Sequence, residues 1–83
     1  MSESAGPDVV LLTRPGCHLC EQARLVLKRV GGELGVPWQE RNAEEDPELA
    51  ARFGEEIPVL FIDGVQRDFW TIDEKRLRRL LGA

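Results

Sequence analysis

Apolar residues in this chain form short runs with two different periods. The run from Val9 to Thr13 is almost uniformly apolar, which is typical of a short strand covered on both faces. From Cys17 or His18 to Val30, apolar residues recur every third or fourth position, which predicts an amphipathic helix. Its apolar face is expected to comprise Leu19, Ala23, Val26, Leu27 and Val30. The pair Gly31-Gly32 is expected to end this helix.

A second strand and a short second helix are predicted in the middle of the chain. Pro37 to Asn42 has the pattern of a more polar strand whose main apolar anchor is Trp38. Asp46-Pro47 is a helix-start signal, because aspartate caps and proline suits the first helical position. The helix is expected to end near Gly54.

The C-terminal part reads as a hairpin followed by a helix. Pro58 to Ile62 and Val65 to Phe69 are strand-like runs around Asp63-Gly64, a pair suited to a turn with positive φ at both positions. Thr71 and Glu74 form the pattern of a capping box and predict the start of the last helix.

The resulting order is β-α-β-α-β-β-α. It predicts an α/β fold with a four-stranded mixed sheet and helices on both faces. We expect residues 8–83 to form this one domain and residues 1–7 to be a flexible arm.

Composition narrows the functional classes. The 83 residues suffice for one small domain, and a net charge of −4 argues against binding nucleic acid by neutralising phosphates. The N-terminus lacks the pattern of a signal peptide, and no segment has the roughly 20 apolar residues of a membrane span. We therefore expect a soluble, monomeric, cytoplasmic protein that binds neither membranes nor nucleic acid.

The two cysteines of the chain, Cys17 and Cys20, lie between the first strand and the first helix. A pair at this spacing closes too short a loop to stabilise a fold, whereas it suits thiol–disulfide exchange. A thiolate at Cys17 is favoured by the unpaired N–H groups at a helix start, and Cys20 lies one turn further on. His18, if protonated, would favour the same thiolate. A zinc site would need a fourth ligand beyond these three residues, so no metal is expected.

The segments Thr13-Arg14-Pro15-Gly16-Cys17-His18-Leu19-Cys20 and Ile57-Pro58-Val59-Leu60-Phe61-Ile62 resemble those of a glutaredoxin-like protein of the thioredoxin superfamily. The resemblance covers nearly the whole chain and implies a thioredoxin-like fold of the glutaredoxin type. It also implies that the Ile57-Pro58 bond is cis and lies beside the cysteine pair.

The resemblance implies a role for several side chains. Cys17 would attack a disulfide and Cys20 would resolve the mixed disulfide. Arg14 matches a basic residue that would stabilise the thiolate or receive a carboxylate of glutathione. The backbone of Ile57, next to Pro58, would pair with an incoming cysteinyl peptide.

The chain also departs from the family pattern. His18 stands where glutaredoxins usually have proline, and Phe69 and Trp70 replace a Gly-Gly pair that admits the γ-glutamyl end of glutathione. Asp73 matches the aspartate that follows this pair, with one extra residue between. Leu11 occupies the place at which thioredoxins bury an aspartate. Phe69 and Trp70 would crowd glutathione, or offer an apolar surface to protein substrates.

The leading hypothesis is a thiol–disulfide oxidoreductase that needs no bound cofactor and uses glutathione as its reducing co-substrate. Its substrates would be disulfide-containing proteins or small molecules. One alternative is a thioredoxin-like electron donor reduced by a flavin-dependent reductase of the thioredoxin-reductase type. Others are a non-catalytic binding module with this fold and a metal or iron–sulfur carrier.

Overall fold

The computed structural model describes residues 7–82, which form a four-stranded sheet with three helices. The strands are β1 (Val9–Thr13), β2 (Trp38–Asn42), β3 (Val59–Ile62) and β4 (Val65–Phe69). The helices are α1 (His18–Leu34), α2 (Pro47–Phe53) and α3 (Glu74–Leu80), with a 3₁₀ turn at Ala43–Glu45 before α2. The predicted order of elements is confirmed. Apart from residue 7, the predicted N-terminal arm lies outside the described residues.

Strand β1 lies inside the sheet, whose strand order is β2-β1-β3-β4. It runs parallel to β2 and antiparallel to β3, so the sheet is mixed as predicted. The side chains of Leu11 and Leu12 are both fully buried although they point to opposite faces. This explains why β1 is a continuous apolar run rather than an alternating one.

Helices cover both faces of the sheet, as the sequence predicts. On one face, α1 and α3 pack against the sheet through a core of Val9, Leu11, Ala23, Leu27, Val30, Leu60, Ile62, Ile72 and Leu77. On the other face, α2 contributes Leu49, Ala50 and Phe53 around a second cluster of Leu12, Cys20, Ala43, Ile57 and Val59. The second cluster contains Cys20, which is predicted to be the resolving cysteine, so the packing of α2 bears directly on the candidate site.

The prediction that Gly31-Gly32 ends α1 is wrong. The helix continues to Leu34 and ends at Gly35, whose φ of 69° is left-handed and whose N–H donates to the Gly31 carbonyl. A Cβ at Gly31 would lie 2.9 Å from the Val36 carbonyl oxygen and 3.1 Å from Cδ1 of Trp38. Gly31 therefore allows the chain leaving α1 to approach the helix closely, which local propensity does not reveal.

The predicted capping box of α3 is also wrong. The helix begins after Asp73, whose carboxylate accepts hydrogen bonds from the N–H groups of Lys75 and Arg76, and Thr71 lies outside it. The N–H of Asp73 itself donates to the carboxylate of Asp68 at 3.1 Å. Asp68, near the end of β4, thus holds Asp73 in place as the N-cap. The helix therefore begins two residues later than the sequence pattern indicates.

The hairpin between β3 and β4 follows the prediction. Asp63 and Gly64 both have positive φ, 54° and 81°, as this type of two-residue turn requires. The N–H of Asp63 donates to the carbonyl of Asp8 at 2.9 Å, which ties the turn to the start of β1.

Ion pairs join the exposed sides of α1 and α3. The guanidinium of Arg78 lies 2.8 Å from Glu33 and 2.9 Å from Glu74, and Arg29 also contacts Glu74. The hydrogen bond from Arg78 holds the pKa of Glu74 below its usual value, with Arg29 acting in the same direction. These contacts supplement the apolar packing of the two helices, since exposed ion pairs stabilise proteins only weakly.

Alanine at the two adjacent glycines of α1 should move the free energy of unfolding in opposite directions. At Gly32 an added Cβ would meet no atom within 4 Å other than its chain neighbours and the backbone of its own helix, so alanine should stabilise the helix by roughly 0.5–1 kcal/mol. At Gly31 the added methyl group would meet the Val36 carbonyl, so stability should fall. Urea denaturation measures both variants. A destabilised Gly32→Ala protein, or a Gly31→Ala protein as stable as the wild type, would contradict the observed course of α1.

Candidate active site

The predicted catalytic cysteines lie at the turn from β1 into α1. Gly16 has a φ of 71°, which reverses the chain before the helix. Cys17 is the N-cap of α1, and its Sγ accepts a hydrogen bond from the N–H of Cys20 at 3.1 Å. The sulfur therefore occupies the place of a capping oxygen, where backbone donors favour negative charge.

Cys17 and Cys20 are joined by a disulfide, with their Cα atoms 5.2 Å apart. The two sulfurs differ in access, because Cys20 is fully buried among apolar side chains and Cys17 is partly exposed. Only the exposed cysteine is open to an incoming substrate. This asymmetry agrees with the roles that the resemblance implies, with Cys17 attacking and Cys20 resolving.

The turn that carries the cysteines is held on both sides by hydrogen bonds to the carboxylate of Glu40, one of them from the buried hydroxyl of Thr13. The Oγ1 of Thr13, the last residue of β1, donates to Oε2 of Glu40 at 2.6 Å. Arg24, in α1, donates to the same oxygen at 2.8 Å. Glu40 lies in β2. Because Thr13 precedes residues 14–17 and Arg24 follows them, this carboxylate ties both the strand before the cysteines and the helix that carries Cys20 to β2.

The Ile57-Pro58 bond is cis, as the resemblance implies. The side chain of Ile57 packs in the same apolar cluster as Cys20, with Cys17 at its edge. Among residues 7–82, no hydrogen bond involves the amide or the carbonyl of Ile57. These backbone groups are the ones predicted to pair with a cysteinyl peptide.

The two predicted tuning residues lie on opposite sides of Cys17 in sequence, and both are exposed. His18 is the first residue of α1, and its ring has no hydrogen bond to any residue of the described range. The Nη1 of Arg14 lies 3.4 Å from the carbonyl oxygen of Gly54, at the end of α2. In this structure Arg14 thus interacts with the C-terminal end of a helix, where a cation is favourable.

Phe69 and Trp70 lie at the rim of the site rather than in the core. Their exposed fractions are 41% and 53%, and their rings meet edge to face with centroids 4.9 Å apart. The N–H of Trp70 donates to the Pro58 carbonyl at 2.9 Å, which places the aromatic pair beside the cis-proline loop. Asp73, the remaining predicted binding residue, uses its carboxylate to cap α3.

Two features of this region were missed by the sequence prediction. Leu19, expected in the core, is 38% exposed because it lies at the first turn of α1, next to the buried Cys20. The indole Nε1 of Trp70 donates to the carbonyl of Glu55 at 2.9 Å. No local pattern connects residues 55 and 70, so only the tertiary structure reveals this contact.

Other kinds of site lie apart from the cysteines or are absent from the described range. A cavity of about 380 Å³ lies between the sheet and α2, and neither cysteine lines it. Residues 7–82 contain no cluster of three His, Cys, Asp or Glu side chains placed to hold a metal ion. No helix within this range has the length and apolar character needed to cross a membrane.

Comparison with known proteins identifies the family. Residues 8–82 match the model of the glutaredoxin-like domain (DUF836). The chain belongs to this family. An uncharacterized protein of Mycobacterium tuberculosis is 36% identical over 77 residues, which cover 87% of this chain and 79% of the relative. An uncharacterized protein of Mycobacterium bovis matches to the same extent.

Solved structures similar to this glutaredoxin-like domain show its fold. A crystal structure of an X. campestris protein is 29% identical, with a TM-score of 0.73, and the match covers 88% of this chain and 93% of that one. Protein Ne2328 from Nitrosomonas europaea has a TM-score of 0.82 at 20% identity, with 99% of each chain covered. Thioredoxin from Fasciola hepatica has a TM-score of 0.68 at 20% identity, covering 92% of this chain and 78% of the thioredoxin. The domain therefore has a thioredoxin-type α/β fold, as predicted.

Replacing His18 by alanine should shift thiolate formation at Cys17 to higher pH. Two unit charges about 4 Å apart in water interact by about 1 kcal/mol, which limits the shift to roughly 0.7 pH unit. The pH dependence of Cys17 alkylation by iodoacetamide in the reduced protein measures the midpoint. Lys28→Ala, which removes an exposed cation further along α1, is the control. An unchanged midpoint in His18→Ala would contradict an electrostatic role for this residue.

Proposed function

We propose that this glutaredoxin-like domain is a thiol–disulfide oxidoreductase that reduces disulfides through Cys17. The observation that carries the proposal is the asymmetry of the cysteine pair. Cys17 is partly exposed at the N-terminus of α1, whereas Cys20 is fully buried one turn further on. Thiol–disulfide exchange in two successive steps requires one thiol that the substrate can reach and a second thiol that is accessible only to the first.

The reaction follows from these positions. The thiolate of Cys17 attacks one sulfur of the substrate disulfide, so that a mixed disulfide forms and the first substrate thiol leaves. Cys20 then loses its proton and attacks the sulfur of Cys17, which releases the second substrate thiol. The substrate has gained two electrons and two protons, and the domain is left with the Cys17–Cys20 disulfide. An external thiol reductant returns it to the dithiol.

The source of these electrons is a second part of the proposal. Glutathione, favoured by the family resemblance, would have to reach Cys17 past the side chains of Phe69 and Trp70. Trp70 is fixed at this place by hydrogen bonds from its N–H to the carbonyls of Pro58 and Glu56 and from its Nε1 to the carbonyl of Glu55. This arrangement favours the alternative, in which a protein dithiol such as a flavin-dependent reductase supplies the electrons. The domain would then act as a thioredoxin-like electron donor.

Serine variants of the two cysteines test the proposed order of attack. Cys17→Ser should reduce a disulfide substrate no faster than the uncatalysed reaction, because a serine hydroxyl does not replace the thiolate. Cys20→Ser should accumulate a mixed disulfide on Cys17, because the resolving thiol is missing. Mass spectrometry of acid-quenched reactions detects this adduct.

The opposite pattern would contradict the proposal. An adduct that accumulates on Cys20 in Cys17→Ser, at the rate seen for Cys17 in the other variant, would reverse the roles. Reduction at the wild-type rate by both variants would exclude the cysteine pair as the catalyst. If Cys17→Ser still binds a substrate protein while the wild type reduces none, the domain is a binding module.

A further inference from the structure

Trp70 adopts a backbone conformation that its side chain disfavours. Its φ is 62°, in the left-handed region where a bulky residue is rarely found. Hydrogen bonds from its N–H to the carbonyls of Pro58 and Glu56, at 2.9 and 3.3 Å, hold the backbone there. Its Nε1 is anchored to the carbonyl of Glu55 at 2.9 Å. Strain that the surroundings maintain in this way is typical of functional sites.

Burial does not explain why the strained residue is a tryptophan. Its side chain is 53% exposed, and the neighbouring Phe69 is 41% exposed. Both lie beside Pro58 and close to Ile57, whose backbone N–H and carbonyl make no hydrogen bond within residues 7–82. Leu19 adds an exposed apolar side chain directly before Cys20. Exposed apolar side chains therefore lie beside the cis-proline segment, which packs in the same cluster as Cys20, and in the first turn of α1.

Acidic side chains accompany the aromatic pair. Two of the three carbonyls that hold Trp70 belong to Glu55 and Glu56. Among residues 7–82, the carboxylate of Glu56 accepts a hydrogen bond only from the neutral amide of Gln66. Asp68 precedes Phe69 and accepts two backbone N–H groups.

Basic side chains lie close to these carboxylates. Arg14 reaches the same loop through the carbonyl of Gly54, Arg52 lines one pocket with Glu55 and Glu56, and Arg67 precedes Asp68 in β4. Three carboxylates therefore stand beside three cations. The start of α3 adds no net charge, because Asp73 and Glu74 are balanced by Lys75 and Arg76. The rim near Trp70 is thus apolar with charges of both signs around it, and the exposed face of the indole itself attracts cations.

We propose that Trp70 is a specificity-determining residue that selects polypeptide disulfides with an apolar and a basic side chain beside the reacting cysteine. The inference rests on the proposed function and names its substrate class. An extended substrate segment paired with the backbone of Ile57 points alternate side chains to one side. The apolar side chain contacts the rings of Phe69 and Trp70, and the basic one lies over the indole near Glu55 and Glu56.

Single-turnover reduction of two peptides tests this selection, and it needs no external reductant during the reaction. One peptide contains Lys-Phe-Cys and the other Glu-Gly-Cys, each as a mixed disulfide with 2-mercaptoethanol. The pre-reduced protein is mixed with each peptide below saturation, and acid-quenched samples are analysed by mass spectrometry. The wild type should react with the Lys-Phe-Cys peptide about tenfold faster, the ratio that about 1.4 kcal/mol of additional binding provides.

Three variants assign the preference to Trp70. Glycine adopts a φ of 62° without strain, so Trp70→Gly should keep the backbone and lower the preference to about twofold or less. Trp70→Phe, which keeps an aromatic ring, should retain most of it. Val65→Ala is the matched control, because Val65 is equally exposed, at 53%, at the opposite end of β4. It should leave both rates unchanged.

The outcomes separate this inference from the proposed function. Equal rates for the two peptides in the wild type, or an undiminished preference in Trp70→Gly, would overturn the role of Trp70 and leave the oxidoreductase intact. If the protein reduces neither of the two peptides and does not reduce bis(2-hydroxyethyl) disulfide, the proposed function is wrong, and this inference with it.

Discussion

The hydrogen bond between the Cys17 sulfur and the N–H of Cys20 is the interaction on which the site depends. It makes a cysteine the N-cap of α1, so one sulfur lies among backbone donors at the surface. The same helical turn carries the other cysteine into the core, where it is fully buried. A single local geometry thus gives two chemically similar side chains different access and different electrostatic surroundings.

The rest of the domain keeps this turn in place. The buried strand β1 leads into it, and Thr13 and Arg24 attach its two sides to one oxygen of Glu40. On the other side, Ile57 packs in the cluster that contains Cys20 and brings its backbone to the same end of the sheet. These supports come from β2 and from the segment before β3, so the geometry of this short motif depends on distant parts of the fold.

Sequence reasoning predicted what is encoded locally and failed where distant segments meet. The apolar run of β1 and the Asp63-Gly64 turn were predicted because neighbouring residues determine them. The end of α1 was missed because Gly31 serves a close approach of the chain that follows the helix, a tertiary constraint. At the site, the spacing of Cys17 and Cys20, between a predicted strand and a predicted helix, correctly indicated where the cysteines lie. The strained conformation of Trp70 did not, because carbonyl groups from the segment before β3 impose it.

A redox titration of the pure protein in glutathione buffers, analysed by intact mass spectrometry, tests the central claim most directly. The account predicts a reversible transition in which the mass falls by two hydrogens as Cys17 and Cys20 form their disulfide. A glutathione adduct on Cys17 during the transition would restore glutathione as the electron source. If no disulfide forms at any ratio of oxidised to reduced glutathione, the domain does not perform dithiol exchange and the account is contradicted.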